Sequence, residues 1–415
     1  MNLNHINVIA RYEVKLVKRS WLFRIFAILA LLFISAIMLG YQTGIVNRMD
    51  NLWPRIAVSS LMPFCNTYFY NIAQSVIVVF LAGSFLKRDK KLDTAEVIYV
   101  RPMSNADYIV GKTWGIVKVF ITLNIITLLF TAFLNILINK SPFDLFPYLF
   151  YLLTISVPSL LFVLGLSFTA MCILKNQAVT FIVMLGIIGT VFFYLTDTLY
   201  GVFDFFGVNI PAIFSDVTGH ADLRLFLLQR FSYLLAGIGL ISMTIALVKR
   251  LPHKPWKIAV VYTFSSLFLL AACLGGLLYI LHYNHQLDLR NQYIMTFDKY
   301  ADVPHVDLLV NDISVTPQGH RLAGKSTVKV ANNNAKPLDK IFYLNPELTV
   351  TSVEMAGKNL PFRRDHQVIE VDQPIQQQEE LTLTINYEGK ISENICYTDV
   401  LTEDYLDTKV PQVFW

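Results

Sequence analysis

The sequence predicts an α-helical polytopic membrane domain followed by an all-β, sandwich-like domain, and three observations carry that reading. Apolar residues make up 54% of the 415-residue chain and charged residues 15%. The apolar residues gather in runs of about 20, the length that spans a bilayer core. The formal charge of +4 conceals a division, since residues 1–281 hold 22 Lys+Arg against 11 Asp+Glu, whereas residues 282–415 hold 12 against 19. Beyond residue 302 the long runs give way to short alternating ones parted by turn residues, which is the period of strands.

Residues 1–20 are expected as an amphipathic interfacial helix. Arg11, Lys15, Lys18 and Arg19 recur at i, i+4, i+7 and i+8, with Ile6, Ile9, Leu16 and Val17 on a different face. The basic stripe serves either attraction to anionic lipid or enforcement of topology. These charges precede a run long enough to span, so the segment reads as a retained anchor rather than a cleaved leader.

Span one covers Trp21–Gly40, with Arg24 snorkelling at its inner end. Span two follows at about Pro63–Leu86, and span three at Trp114–Ile138 with Lys118 snorkelling near its start. Span four, Pro147–Leu174, is kinked by Pro158. Spans five, six and seven lie at Ala178–Leu195, Phe231–Val248 and Ile258–Leu281. Between spans five and six, Thr196–Gln229 is too broken by Gly201, Gly207, Pro211 and Gly219 for a simple span. It is also too apolar at Phe203, Phe205, Phe206, Ile210, Ile213 and Phe214 for a solvated loop. A re-entrant or interfacial helical hairpin meets both conditions. Its aspartates, Asp197, Asp204, Asp216 and Asp222, read as solvated loop charges, with an outer gate at Asp197 and Asp204 as the alternative. Assigning sides places 17 Lys+Arg inside and 5 outside among residues 1–281. That bias sets a cytoplasmic N-terminus and an extracytoplasmic C-terminal domain.

The loop Phe85–Lys112, FLKRDKKLDTAEVIYVRPMSNADYIVGK, sets a basic polar stretch between two apolar runs, and Asp93–Tyr99 suits a short helix that needs a partner to dock on. Its charged RDKK, acidic DTAEVI, the Arg-Pro-Met-Ser turn at 101–104 and the Gly-Lys pair opening the next span resemble the loop between spans two and three of type-2 ABC exporter permeases. The resemblance extends over roughly residues 1–250. It implies a six-span permease core at 21–250 and a broken element between spans five and six, to which the apolar run within 251–281 adds a seventh span. It also implies a coupling helix seated in a groove of a separate ABC ATPase subunit. Val97, Ile98 and Tyr99 would supply its buried contact, with Asp93, Glu96 and Arg101 around them. A homodimer or a second permease half, embedded in the lipid bilayer of a bacterial inner membrane, follows from the same likeness.

A linker at 282–302 precedes the β-domain at 303–415. The run STVKVAN, KIFYLNPELTVTSVEMAGKNLPF, QVIEV and LTLTINYEGKI is similar to the N-terminal β-domain of zinc aminopeptidases of the alanyl and leucyl type. Bacterial proteins that fuse an exporter-type permease to such a peptidase resemble the chain as a whole. The chemistry of those enzymes is not expected here, because no H-E-x-x-H and no Gly-x-Met-Glu-Asn occurs. The chain stops at Trp415, about where that family's catalytic domain begins, which leaves a fragment and a non-catalytic module as the two readings.

Other motifs carry little. Ala106–Thr113, ADYIVGKT, misses the first glycine of a phosphate loop and opens a span, and no LSGGQ occurs, so ATP hydrolysis is expected in another chain. His282 and His285 have metal-like spacing without accompanying carboxylates or thiols. The four cysteines, at 65, 172, 273 and 396, form no framework. No enzymatic activity, cofactor, metal or nucleic-acid partner is expected. The substrate is not written in a motif, because an apolar path selects by shape. The function so implied is the permease subunit of an ATP-driven exporter. The alternative is a membrane-anchored aminopeptidase-like protein or scaffold whose spans only tether the β-domain.

Overall fold

The computed structural model describes residues 2–43, 59–89, 103–138, 142–196, 198–207, 210, 214–215, 219–220, 222–248, 255–319, 321–333, 337–392 and 395. These form two compact units divided between Leu281 and His282. The helices are α1 (Leu3–Arg19), α2 (Trp21–Thr43), α3 (Leu61–Asp89), α4 (Asn105–Ile138), α5 (Leu145–Leu174), α6 (Gln177–Leu195), α7 (Leu223–Leu247) and α8 (Pro255–Ala301). Each of the seven from α2 to α8 is long and apolar enough to cross a membrane.

The amphipathic α1 starts at an Asn2 cap and buries Ile6, Ala10, Glu13 and Val17, one stripe at helical spacing. That stripe lies along the first half of α4, so the segment expected on the membrane surface is also fixed to the protein. Gly111 and Gly115 make the close approach possible: a Cβ on Gly111 would stand 2.8 Å from Ile9 Cβ, and one on Gly115 would stand 2.7 Å from Glu13 Cβ. Lys112 Nζ and Glu13 carboxylate form a buried pair at 3.7 Å across the same contact. A capping box begins α4, with Asp107 N–H donating to Ser104 Oγ at 3.0 Å and Ser104 N–H to Asp107 Oδ2 at 3.2 Å. Lys118 lies over the Trp114 ring at 4.9 Å.

Pro158 removes one N–H from α5, and the helix answers by widening just before it. Residues Leu152–Ser156 form a π turn, closed by Val157 N–H bonding to Leu152 O. Glycines let α5 and α7 approach backbone to backbone: a Cβ on Gly165 would lie 2.8 Å from Gly237 O, and one on Gly237 would lie 2.7 Å from Leu161 C. Thr169 Oγ1 donates to Leu240 O at 3.0 Å in that contact, the small-residue packing that membrane helices use where hydrophobic drive is absent.

Two expectations change along the rest of the chain. Residues 282–301, read as a linker, continue α8 to Ala301, because Arg290, Tyr293, Thr296 and Tyr300 recur on one face and are buried there. In the second unit this face lies on a sheet, where Gln367 Nε2 donates to Tyr293 O at 2.7 Å and Tyr300 packs with Ile341 and Val368. The span expected from Phe231 begins eight residues earlier, at Leu223, with Asp222 capping it by accepting from Leu225 N–H at 3.4 Å.

Beyond the end of α8, the described strands of the second unit pair antiparallel. One sheet is ordered β3-β4-β10-β6-β7 and another β5-β9-β8, with β3 Asp307–Gln318, β4 Arg321–Ala331, β5 Leu338–Tyr343, β6 Leu348–Met355, β7 Lys358–Asn359, β8 Phe362–Asp365, β9 Val368–Ile375 and β10 Glu380–Gly389. The strands β1 (Phe214–Ser215) and β2 (Gly219–His220) belong to the first unit. Val328, Val330, Val353, Leu383 and Ile385 of the larger sheet meet Ile369, Val371 and Ile375 of the smaller in one core. Alternation along β10, with Leu383, Ile385 and Tyr387 turned inward, is what makes that core. The β6–β7 turn places Ala356 and Gly357 at φ 48° and 76°, as a two-residue I′ hairpin requires.

Lys299 Nζ stands 2.7 Å from Asp365 Oδ2, and Tyr300 Oη stands 2.5 Å from Glu370 Oε1 and 3.1 Å from Asp365 Oδ2. The hydrogen bond from Lys299 holds the Asp365 carboxyl below the ordinary aspartate range against the upward pull of partial burial. A carboxyl whose pKa is lower folded than unfolded stabilises the fold above the ordinary aspartate range, and that contribution is lost as pH falls through the folded value. Amide exchange in β8 and β9 should therefore quicken only below about pH 4, and Asp365→Asn should flatten that acid response. An unchanged response in the variant would remove this clamp as its source.

Candidate functional site

Where α6 ends, the sequence turns against helix. Thr196 N–H bonds to Val191 O at 2.9 Å, closing a final π turn. Leu199, Tyr200 and Gly201 then follow in the left-handed region, at φ 50°, 60° and 80°. This is not the helical hairpin expected there: three successive left-handed residues end any right-handed helix. The described part of the segment is a run of tight turns at 198–207 and the small β1–β2 pair.

Such a backbone among apolar helices leaves carbonyls without partners unless side chains supply donors, and here they do. Tyr279 Oη of α8 donates to Tyr200 O at 2.9 Å, and Tyr233 Oη of α7 to Val202 O at 2.7 Å. Gln229 Nε2 of α7 bridges Gly201 O and Asp204 O, at 3.0 Å from each. Arg230 donates through Nη2 to Asp204 O and through Nη1 to Phe205 O at 3.2 Å, while its Nε meets Gln229 Oε1 at 2.6 Å. Ser159 Oγ of α5 lies 2.5 Å from Phe205 O, and Asn71 Nδ2 of α3 donates to Phe206 O at 3.0 Å. Gln74 orients that asparagine by donating to Asn71 Oδ1 at 2.8 Å. Four helices thus supply donors to one loop.

Asp204 is fully buried, and its Oδ1 accepts from the N–H groups of Phe206 and Gly207 at 3.0 Å each. The reading of Asp204 as a solvated loop charge is therefore corrected: its carboxylate closes a turn around which the loop is folded, in the same cluster as the buried Arg230 guanidinium. Gly207, at φ 78°, has no room for a side chain, since a Cβ would stand 2.8 Å from both Arg230 Nη1 and Ile155 Cγ2. Asp222 is a helix cap, and Asp197 and Asp216 lie outside the described residues. Nearby, the His220 ring packs against Phe150, Phe214 and Phe226. Burial pushes its pKa down to about 4, so it is neutral at physiological pH, with Nδ1 accepting from Asp222 N–H at 3.2 Å.

Polar side chains also run through the helical unit, where an apolar path is the sequence expectation. Asn124, Thr127, Thr131 and Asn135 make a buried stripe on α4, and Asn66, Thr67, Asn71, Gln74 and Ser75 are buried on α3. Among the described residues, both amide atoms of Asn66, Thr67 Oγ1 and Asn124 Oδ1 find no hydrogen-bond partner. Most of the cluster escaped sequence reasoning. Arg230 falls just ahead of the span expected from Phe231, although LFLLQRFSYLL sets Gln229 and Arg230 between apolar residues on both sides, the signal that an ionised group lies within a span.

The coupling residues Asp93, Glu96, Val97, Ile98, Tyr99 and Arg101 lie outside the described residues, as does Asp197. The frame that follows them is described: Asp107 Oδ1 accepts from Asn2 N–H at 2.8 Å, and Asn105 Nδ2 donates to Val248 O at 2.7 Å, tying α4 to the start of α1 and the end of α7. Among the described residues, no group of three His, Cys, Asp or Glu side chains is gathered as a metal site would be. No protein-family model and no curated protein matches the chain.

Removing the guanidinium while keeping bulk, as in Arg230→Met, should take one of two donors from each of the carbonyls of Asp204 and Phe205, leaving Gln229 and Ser159 to hold them alone. Breaking a buried charged contact on one side costs about 3–5 kcal/mol. Cysteines introduced at Val202 or Phe203 should then label faster in the variant than in the wild type. Equal labelling would show that the loop holds without Arg230.

Proposed function

We propose that the chain is the membrane-spanning permease subunit of an ATP-driven exporter, working with a separate ABC ATPase and with a second permease half or a second copy of itself. The observation that carries this reading is the broken, polar-bonded segment between α6 and α7. Irregular backbone among membrane helices is tolerated where it is buried in protein or lines a path. Spans that served only to tether a β-domain would need no buried arginine, glutamine and aspartate, each costly in that setting. The polar stripe on α3 and α4 supports the same reading, as does the likeness of the 87–112 loop to a coupling element.

In this reading Val97, Ile98 and Tyr99 enter the ATPase groove, and Glu96 and Arg101 orient the contact. A truncated aromatic anchor costs about 2 kcal/mol or more, while a rim charge acts on association rate and salt sensitivity. Tyr99→Ala and Glu96→Lys should lower co-purification of the P-loop ATPase encoded nearest this chain, and a change at Lys140 should not. Wild-type recovery of the complex by both variants would remove the loop as docking element. It would favour the alternative, an aminopeptidase-like scaffold, which draws on a β unit with a core of its own.

The same reading sets the N-terminus in the cytoplasm and the β unit outside it, in the periplasm of a cell with an inner membrane. Reporter fusions at Lys91 and Asn332 should give opposite responses. Cytoplasmic activity at both positions would overturn the topology.

A further inference from the structure

We propose that α1 is a docking surface for anionic phospholipid headgroups, built by burying the helix's sole acid and leaving its cations outward. Glu13 is the one acidic residue in Leu3–Arg19, and it is 3% exposed against Lys112. Arg11, Lys15, Lys18 and Arg19 are exposed on the side opposite Ile6, Ala10, Glu13 and Val17. Had Glu13 faced outward, it would have offset part of that charge and lain among the cations. Sequence spacing shows the stripe; the packing shows that nothing acidic on α1 shares its face.

Two further features favour a bilayer surface over bulk water. The stripe is held rather than left to float: Gly111 and Gly115 admit α1 to contact distance, and Asn2 and His5 close on Asp107, at 2.8 Å from the Asn2 N–H and 3.7 Å from His5 Nδ1. Ordering that face is thus part of folding and is not charged again to binding. The stripe also ends where a membrane-length helix begins. Only Ser20 separates Arg19 from Trp21, which is exposed at the first position of α2, and Arg24 Nε turns back to donate to Lys18 O at 3.0 Å. An exposed tryptophan at the head of a span marks headgroup depth, and exposed Val8 and Tyr12 lie on the same side of α1 as the cations. Cations at that depth meet the field of anionic lipid within a Debye length. This inference rests on the membrane-length helices and not on the transport reading.

The test uses the full chain, purified and placed in bilayer discs of phosphatidylcholine with a minority of phosphatidylglycerol. Native mass spectrometry counts each lipid retained when the protein is released. Wild type should hold phosphatidylglycerol over phosphatidylcholine by about ten-fold, falling as salt rises from about 0.1 to 1 M. The combined variant R11Q/K15Q/K18Q/R19Q should lose that preference, and the charge-keeping variant R11K/K15R/K18R/R19K should retain it. The salt series is read on wild type alone, so it stands even where the combined variant inserts poorly. Absence of a preference in wild type, a preference indifferent to salt, or one kept by the glutamine variant would overturn the proposal. So would a glutamine variant that holds phosphatidylglycerol normally and loses only the ATPase, which would make the stripe a protein contact.

Discussion

The helical unit depends on one constraint: a stretch of backbone that cannot be helical must still have its carbonyls bonded where water is scarce. Left-handed geometry at Leu199, Tyr200 and Gly201 commits the chain to a loop. From that point the neighbouring helices are obliged to bring donors. Gln229 and Arg230 supply half of the bonds from a single turn of α7, Asn71 and Ser159 reach in from α3 and α5, and two tyrosines complete the set. The arrangement fixes more than the loop. Each donor ties its own helix to the same point, so α3, α5, α7 and α8 share a joint that apolar packing alone would leave free to slide.

Around that joint, small residues and hydroxyls make the closest helix contacts, beside large apolar pairs such as Phe162 with Tyr233 and Phe64 with Tyr151. Gly165 and Gly237 bring α5 and α7 together, and Gly111 and Gly115 do so for α4 and α1. Ser265 Oγ bonds to Gly239 O at 2.8 Å between α8 and α7. In a bilayer this is the expected currency, since lipid tails are as apolar as leucine and close approach has to supply the attraction. The consequence for function is a unit whose interior is polar enough to offer hydrogen bonds and close enough to be sensitive to small shifts. That combination is what supports the proposed permease over a tether.

The β unit follows different rules because its solvent is different. Its sheets are antiparallel, its core is drawn from alternating positions, and its links to the end of α8 include, beside buried contacts, an ion pair exposed enough to answer to pH. Lys299 and Tyr300 sit where a linker was expected, facing Asp365 of β8, which is why the clamp had no counterpart in the sequence reading.

Length and hydropathy by themselves determined the seven membrane-length segments, because a 30 Å apolar layer admits few other readings of such runs. Alternation likewise determined a β domain past residue 302, although β3 and β10 run longer than their apolar cores suggest. The basic stripe of α1 and the broken character of 196–222 were also legible, from spacing and from glycines. Tertiary structure alone decided which charges are buried. Asp204 and Arg230 are 26 positions apart, Glu13 and Lys112 are 99 apart, and no local pattern marks either as a partner of the other. Local sequence carries periodicity, whereas the partner that makes a buried charge tolerable is brought by the fold.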